Sequence, residues 1–248
     1  MSSPCIVSFF MDNISMKTVG LQKSVVEKFN VSKYPHYIIK VDIPHPVALD
    51  YFWAVNGRAG KLFEGHNIPA QMDHDPILFL DIDCIPLSEG AIHLYMQKAR
   101  DGYIVGNAQR TNHLNNNQHV FAAPSAVALT GTTYDKIGRP SSVENDRGDV
   151  AEEWTWQAEA HDVPVQLYMP LRFDAAPQRY DWEKNQPPYW DLADGMPKYG
   201  MGTTYGDENG DLFWHNFQIR MPGQEERFWN KCEEILIRGM YEDRSIKH

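Results

Sequence analysis

Three short apolar runs, at 6–10, 37–43 and 77–82, are each followed by a segment with apolar residues at helical intervals. This alternation constrains the chain more than any other feature. The first run suits a buried strand, and the helix after it, 17–29, sets Val19, Val25, Val26 and Phe29 on one face. The second, YIIKVDI, is stopped by Pro44, and Pro46 stands where a helix over 47–55 begins. The third run is the most hydrophobic of the chain. After it, Ser88 sits at the N-cap position of a helix reaching about Arg100, with Glu89 at the positive end of the dipole. Strand and helix alternating three times predict a largely parallel sheet with helices on both faces.

The pattern continues less regularly. Strands are expected at 103–107 and 125–130 with a polar tip, NHLNNNQH, between them, then a helix over 152–160 and a strand over 165–169. From 174 to 210 periodicity is lost among four prolines, five glycines and clustered aromatics, the mark of a functional loop rather than a linker. A last helix is expected over 224–240. A single domain over 1–248 follows, with a first half (1–107), a second half (108–223) holding the loop 181–210, and the closing helical segment (224–248).

At 248 residues such a domain buries roughly 70% of its unfolded surface and needs no covalent staple. The three cysteines (Cys5, Cys84, Cys232) are scattered without a CxxC pair, which argues against a disulfide scaffold or a cysteine zinc site and fits a reducing cytoplasm. No apolar run approaches the roughly 18 residues of a membrane span, and no basic leader precedes the first run, so neither a span nor a secretory signal is expected. The 33 acidic against 23 basic residues disfavour general binding to nucleic acid through phosphates. The 7 Trp, 12 Tyr and 11 Phe suit sugars and nucleobases as well as a core.

The sharpest chemical signal is Ile77-Leu78-Phe79-Leu80-Asp81-Ile82-Asp83, a buried strand ending in two carboxylates one residue apart. Ligands of open parallel sheets bind beyond the carboxyl ends of the strands. Alternation along a strand sends Asp81 and Asp83 to one side, where two hard oxygen donors suit Mg²⁺ or Mn²⁺. The same acids could cap the next helix. His215, inside the apolar run Asp211-Leu212-Phe213-Trp214-His215-Asn216, reads as a further ligand or as a satisfied core histidine. His113 and His119 flank a polar tip without ligand-like spacing. Asp149, Glu152 and Glu153 open a helix, where carboxylates gain from the dipole and where one facing the pocket can act as general base.

The ordered set of an N-terminal strand, the run FLDIDCIPL, an Ala-Glu-Glu helix start about 70 residues later and a late histidine resembles the DxD-containing nucleotide-sugar glycosyltransferases of the GT-A fold, over about 5–217. That resemblance implies a Rossmann-like three-layer α/β/α sandwich with a mixed, mainly parallel sheet. It also implies Mn²⁺ or Mg²⁺ as cofactor and a nucleoside-diphosphate sugar as donor, with UDP put ahead of GDP by family habit. Carried onto this sequence, Asp83 would coordinate the metal and Asp81 would contact the donor ribose or the metal through water, with His215 as the third ligand. Ala151-Glu152-Glu153 would match the family's acidic helix start, with Glu153 as base and Glu152 and Asp149 behind it. Phe10, Met11, Asp12 and Asp42 would hold the nucleobase at the strand ends next to Ile82, and Arg58 or Lys61 would contact the base or phosphates. Loop 181–210 would be a lid over the donor. Trp154, Trp182, Tyr189 and Trp190 are available as an acceptor wall, with Trp154 and Trp156 read as core. The acceptor stays open among a glycan, a small molecule, a protein and a modified nucleic acid base.

Two enzyme rivals share parts of this pattern. A haloacid-dehalogenase-like phosphatase also ends a hydrophobic strand in DxD, but near its N-terminus and followed by Gly-Thr or Gly-Val, where Cys84-Ile85-Pro86 stands here. A nucleotidyltransferase carries a Gly-rich basic loop after the first strand, and 9–16 contains neither Gly nor Arg. A non-catalytic carbohydrate-binding module would explain the aromatic residues, though not two acids at the end of the most buried strand.

Overall fold

The computed structural model describes residues 2–111, 118–176, 192 and 198–245, with side chains as far as 238. Its elements run β1 (Ser3–Phe10), α1 (Met16–Phe29), β2 (His36–Lys40), α2 (His45–Val55), a 3-10 turn (Lys61–Phe63), β3 (His74–Leu80), β4 (Cys84–Pro86) and α3 (Glu89–Arg100). There follow β5 (Ile104–Arg110), β6 (Val120–Leu129), α4 (Gly131–Lys136), α5 (Glu152–Ala160), β7 (Val165–Ala175), β8 (Met201–Asp207), β9 (Gly210–Asn216) and α6 (Gln224–Ser245).

The strands lie in the order β2-β1-β3-β6-β5-β7-β8-β9-β4. β1 pairs in parallel with β2 and β3, and β5 with β7, while β6 runs against both β3 and β5. Among the first six strands only β6 is therefore reversed, which makes the central sheet mainly parallel. β7, β8, β9 and β4 continue it as an antiparallel extension.

Alternation sorts the core into two layers. Cys5, Val7, Phe9, Ile77, Phe79, Val127 and Leu129 face α2, α4 and α5, whose Phe52, Trp53, Tyr134 and Trp154 fill that side. Ile6, Leu78, Leu80, Val105, Ala126 and Ala128 face the other way, onto the Ala91, Ile92, Tyr95 and Met96 face of α3 and onto Val26 of α1. Helices on both faces complete the three-layer sandwich expected of a GT-A chain. Trp154 is fully buried, as expected, but Trp156 is half-buried and stacks on His119 with ring centroids 3.9 Å apart.

Several boundaries move. The second strand stops at Lys40, and the strand expected at 165–169 extends to Ala175, where pairing with β8 prolongs it. Within the stretch read as irregular, Met201–Asp207 is a strand, with Gly202 in the left-handed region at φ 69°. Ser88 does occupy the N-cap of α3, but its side chain makes no capping hydrogen bond. His113, Trp182, Tyr189, Trp190 and most of the expected lid lie outside the described residues.

One buried carboxylate ties the two halves. Asp50 of α2 is fully buried and accepts from Ser141 Oγ (2.7 Å), Ser142 N (2.8 Å) and Ser142 Oγ (2.6 Å). Ser142 O in turn accepts from Ala151 N at 2.8 Å, holding Ala151 in the left-handed region (φ 59°) as α5 begins. Asp50→Ala should leave these buried donors without acceptors and lower unfolding free energy by about 2–4 kcal/mol. Urea denaturation would show it as a lower midpoint with unchanged slope.

Candidate functional site

β3 ends at Leu80, and the chain turns back at once: Cys84 N donates to Asp81 O at 2.9 Å, so 81–84 is a hydrogen-bonded turn leading into β4. This turn, rather than strand alternation, aims the two acids. It is fixed from three sides. Asp81 N donates to Ser125 O of β6 (3.0 Å), Asn216 N at the end of β9 donates to Asp83 O (2.9 Å), and the buried Gln22 of α1 donates to the carbonyls of Asp81 (2.7 Å) and Cys84 (3.2 Å).

His215 reaches the turn because Cys84 of β4 pairs with His215 of β9. Its Nε2 stands 3.3 Å from Asp83 Oδ1, and ligand atoms of Asp81, Asp83 and His215 all lie within 4.8 Å of one another. Asp83 and His215 are buried, and Asp81 keeps a quarter of its side chain exposed. Burial alone would lower the His215 pKa, but the neighbouring Asp83 carboxylate, its hydrogen bond and Asp81 outweigh it and raise the pKa above its ordinary value. Burial raises that of Asp81, with Asp83 adding to the rise and His45, His215 and Arg220 opposing it. Two partly desolvated carboxylates with an imidazole form a donor set of hard oxygens and one nitrogen, which fits Mg²⁺ or Mn²⁺. His215 Nδ1 is buried with no hydrogen-bond partner among the described residues, leaving the ring oriented by its neighbours alone.

Beside the triad opens a cavity of about 170 Å³, lined at β1 by Phe9, Phe10 and Met11, and by Asn13, Ile14, Val41 and His45. Asp81, Ile82 and Asp83 line it as well, together with Gln218, Ile219 and Arg220. A neighbouring apolar cavity of about 340 Å³ shares Phe9 and Val41 with it and includes Asp42. Of the residues singled out in the sequence, Phe10, Met11, Asp81, Ile82, Asp83 and His215 come together here. Asp12 pairs at the surface with Lys40 at 2.5 Å.

Arg58 and Lys61 do not reach the site. Arg58 packs between Asp75, at the start of β3, and Asp135 of α4, and Lys61 N bonds Arg139 O nearby. Six residues of extended chain, about 20 Å, separate Asp75 from Asp81, so both cations lie at the opposite sheet edge.

The acids of α5 lie at the same sheet edge as the triad and are heavily engaged. Glu152 is fully buried; it accepts from Trp156 Nε1 (3.2 Å) and Asp149 N (2.7 Å) and contacts His119 Nδ1 at 2.6 Å. Glu153 accepts from Arg147 Nη2 (2.5 Å), Asn145 (3.0 Å) and Gln157 (2.7 Å). Burial would raise its pKa, but these bonds and the Arg147 charge outweigh it and hold the carboxyl below its usual range. Asp149 Oδ1 accepts from Val150 N at 2.7 Å.

Sequence reading passed over His45, Gln218 and Arg220. His45 sits between Pro44 and Pro46, prolines already read as a strand stop and a helix start. Gln218 is marked by its left-handed backbone (φ 60°), which no sequence pattern announces.

No protein-family model and no curated protein matches the chain. Solved structures similar to it include glycosyltransferases. An active-site mutant of LgtC is 14% identical over 92% of this chain and 95% of that one, with a TM-score of 0.41. A mutant Drosophila β-1,4-galactosyltransferase 7, in complex with manganese, UDP-Gal and xylobiose, is 10% identical over 66% of this chain and 64% of that one (TM-score 0.37). A glycosyltransferase involved in glycosylation of the PBCV-1 major capsid is 11% identical over 67% and 81% (TM-score 0.37). Likenesses this distant are of general architecture and say nothing of donor, sugar or acceptor. No helix among the described residues is long and apolar enough to cross a membrane.

Proposed function

We propose that the chain is a metal-dependent glycosyltransferase that moves a sugar from a nucleoside-diphosphate sugar, with UDP the favoured nucleotide, to an acceptor hydroxyl. The observation that carries this is the convergence of Asp81, Asp83 and His215 at the carboxyl edge of the sheet, beside a cavity that the two acids line together with Arg220.

Asp83 and His215 would hold Mn²⁺ or Mg²⁺, with Asp81 beside them. When bound, the cation stabilises the charge that gathers on a departing nucleoside diphosphate. Arg220, which lines the same cavity, would add a fixed positive charge near the same oxygens. Phe10 and Met11 offer an apolar wall at the end of β1, and Asp42 an acceptor for base or ribose donors in the adjoining cavity. Of the three α5 acids, Glu153 is the proposed base. It is ionised near neutrality and, unlike Glu152, keeps part of its side chain exposed. Glu152 is buried under three contacts and serves better to build the loop.

Thermal unfolding with UDP, GDP or inorganic phosphate, each with and without Mn²⁺, tests the reading. One nucleoside diphosphate should stabilise the protein only with Mn²⁺, by about 2.7 kcal/mol at a hundredfold excess over Kd. Stabilisation by phosphate with Mn²⁺ and none by nucleotide would replace it with a phosphatase. No response to any ligand would favour a binding module.

A further inference from the structure

The first residue of α2 stands against the metal-site turn. His45 Nε2 lies 3.3 Å from Asp81 Oδ1. Its ring is fixed rather than free. Pro44 and Pro46 set the backbone on either side, and Phe9 packs edge-on against the imidazole with centroids 6.0 Å apart. His45 lines the same cavity as the two acids and is about 30% exposed. Asp83 has a partner of its own, His215, so each carboxylate of the turn faces one imidazole.

We propose that His45 is a positioning residue of the metal centre: its Nε2, 3.3 Å from Asp81 Oδ1, restrains that carboxylate beside Asp83 and His215. The inference rests on the metal-site reading above. The physical reason is that a carboxylate able to rotate loses entropy on binding a cation, and a side chain that fixes it beforehand removes that cost. Partners of this kind typically change metal affinity by about 10–100-fold when removed. His45 touches neither Asp83 nor His215 in the structure, so its effect passes through Asp81 alone.

The test is Mn²⁺ binding to the full chain at pH 8 with UDP present, read from the free-ion electron paramagnetic resonance signal, with no turnover required. His45→Ala should weaken Mn²⁺ binding about 10–100-fold, while metal-free thermal unfolding stays close to that of the wild type. His45→Gln, whose Nε2–H reaches from the backbone about as far as the imidazole Nε2, should recover most of the affinity. Unchanged or tighter Mn²⁺ binding in His45→Ala overturns the proposal, as does a His45→Gln variant as weak as the alanine. If His45→Ala does not fold, His45→Gln decides alone: wild-type affinity supports the role, and a tenfold loss overturns it. A wild-type protein that takes up no Mn²⁺ overturns the glycosyltransferase reading itself, an outcome visible before any variant is made.

Discussion

Asp83→Ala should abolish Mn²⁺-dependent cleavage of the nucleotide-sugar donor, a loss of about a thousandfold or more, with the fold intact. The size follows from charge. A cation at a departing diphosphate contributes several kcal/mol to the transition state, and each 1.36 kcal/mol is a factor of ten. The fold should survive because Asp83 fills no core volume, and its backbone carbonyl, which accepts from Asn216, is untouched by the substitution. The substitution also relieves His215 of its nearest negative charge, so its pKa should fall back toward the value that burial alone would set. Donor hydrolysis followed with and without Mn²⁺ checks this. Metal-dependent turnover surviving in Asp83→Ala would remove the carboxylate from the site's chemistry.

Manganese affinity should climb with pH, by about tenfold per unit below the His215 pKa for the one proton that imidazole must shed. The sign follows from the two raised pKa values. His215 and Asp81 both bind protons more tightly folded than unfolded, so their contribution to stability is full below the unfolded values. It is lost as pH rises, from about 3.8 upward for Asp81 and from about 6.5 upward for His215. A bound cation takes the place of those protons. The gain in melting temperature from Mn²⁺ should therefore be larger at pH 8 than at pH 6, with proton release on binding measurable by calorimetry in buffers of different ionisation heat. Mn²⁺ affinity that stays flat from pH 6 to pH 8 would contradict the triad as its ligand set.

What the sequence disclosed follows the physics of each element. Periodicity located β1, α1, α2, β3, α3 and α5 because each buries one face or one run, and the parity of Ile77 and Phe79 against Leu78 and Leu80 is the parity of the two core layers. β4 and β8 escaped for opposite reasons. Cys84–Pro86 is too short to show a period, and Met201–Asp207 is held by pairing on both sides rather than by an apolar pattern. The cluster of Asp81, Asp83 and His215 was legible because an acid pair after a buried strand is rare enough to stand out. Arg58 and Lys61 were misplaced by counting positions along a loop, since α2 carries the chain away from the site to the other sheet edge. His45 was hidden by its prolines, and Arg220 by lying between two elements with no pattern of its own.

The pairing of Cys84 with His215 has a consequence for how the chain is made. The acid turn leaves the ribosome 132 positions before the histidine that completes it (83 to 215), and every strand from β5 to β8 is synthesised in between. Closing so long a loop is a late and slow event, and β4, three residues long at the sheet's far edge, has only β9 to pair with among the described residues. A nascent chain that stops short of β9 carries both carboxylates and lacks the histidine beside them. The cluster of Asp81, Asp83 and His215 is thereby assembled only when this last strand pair closes.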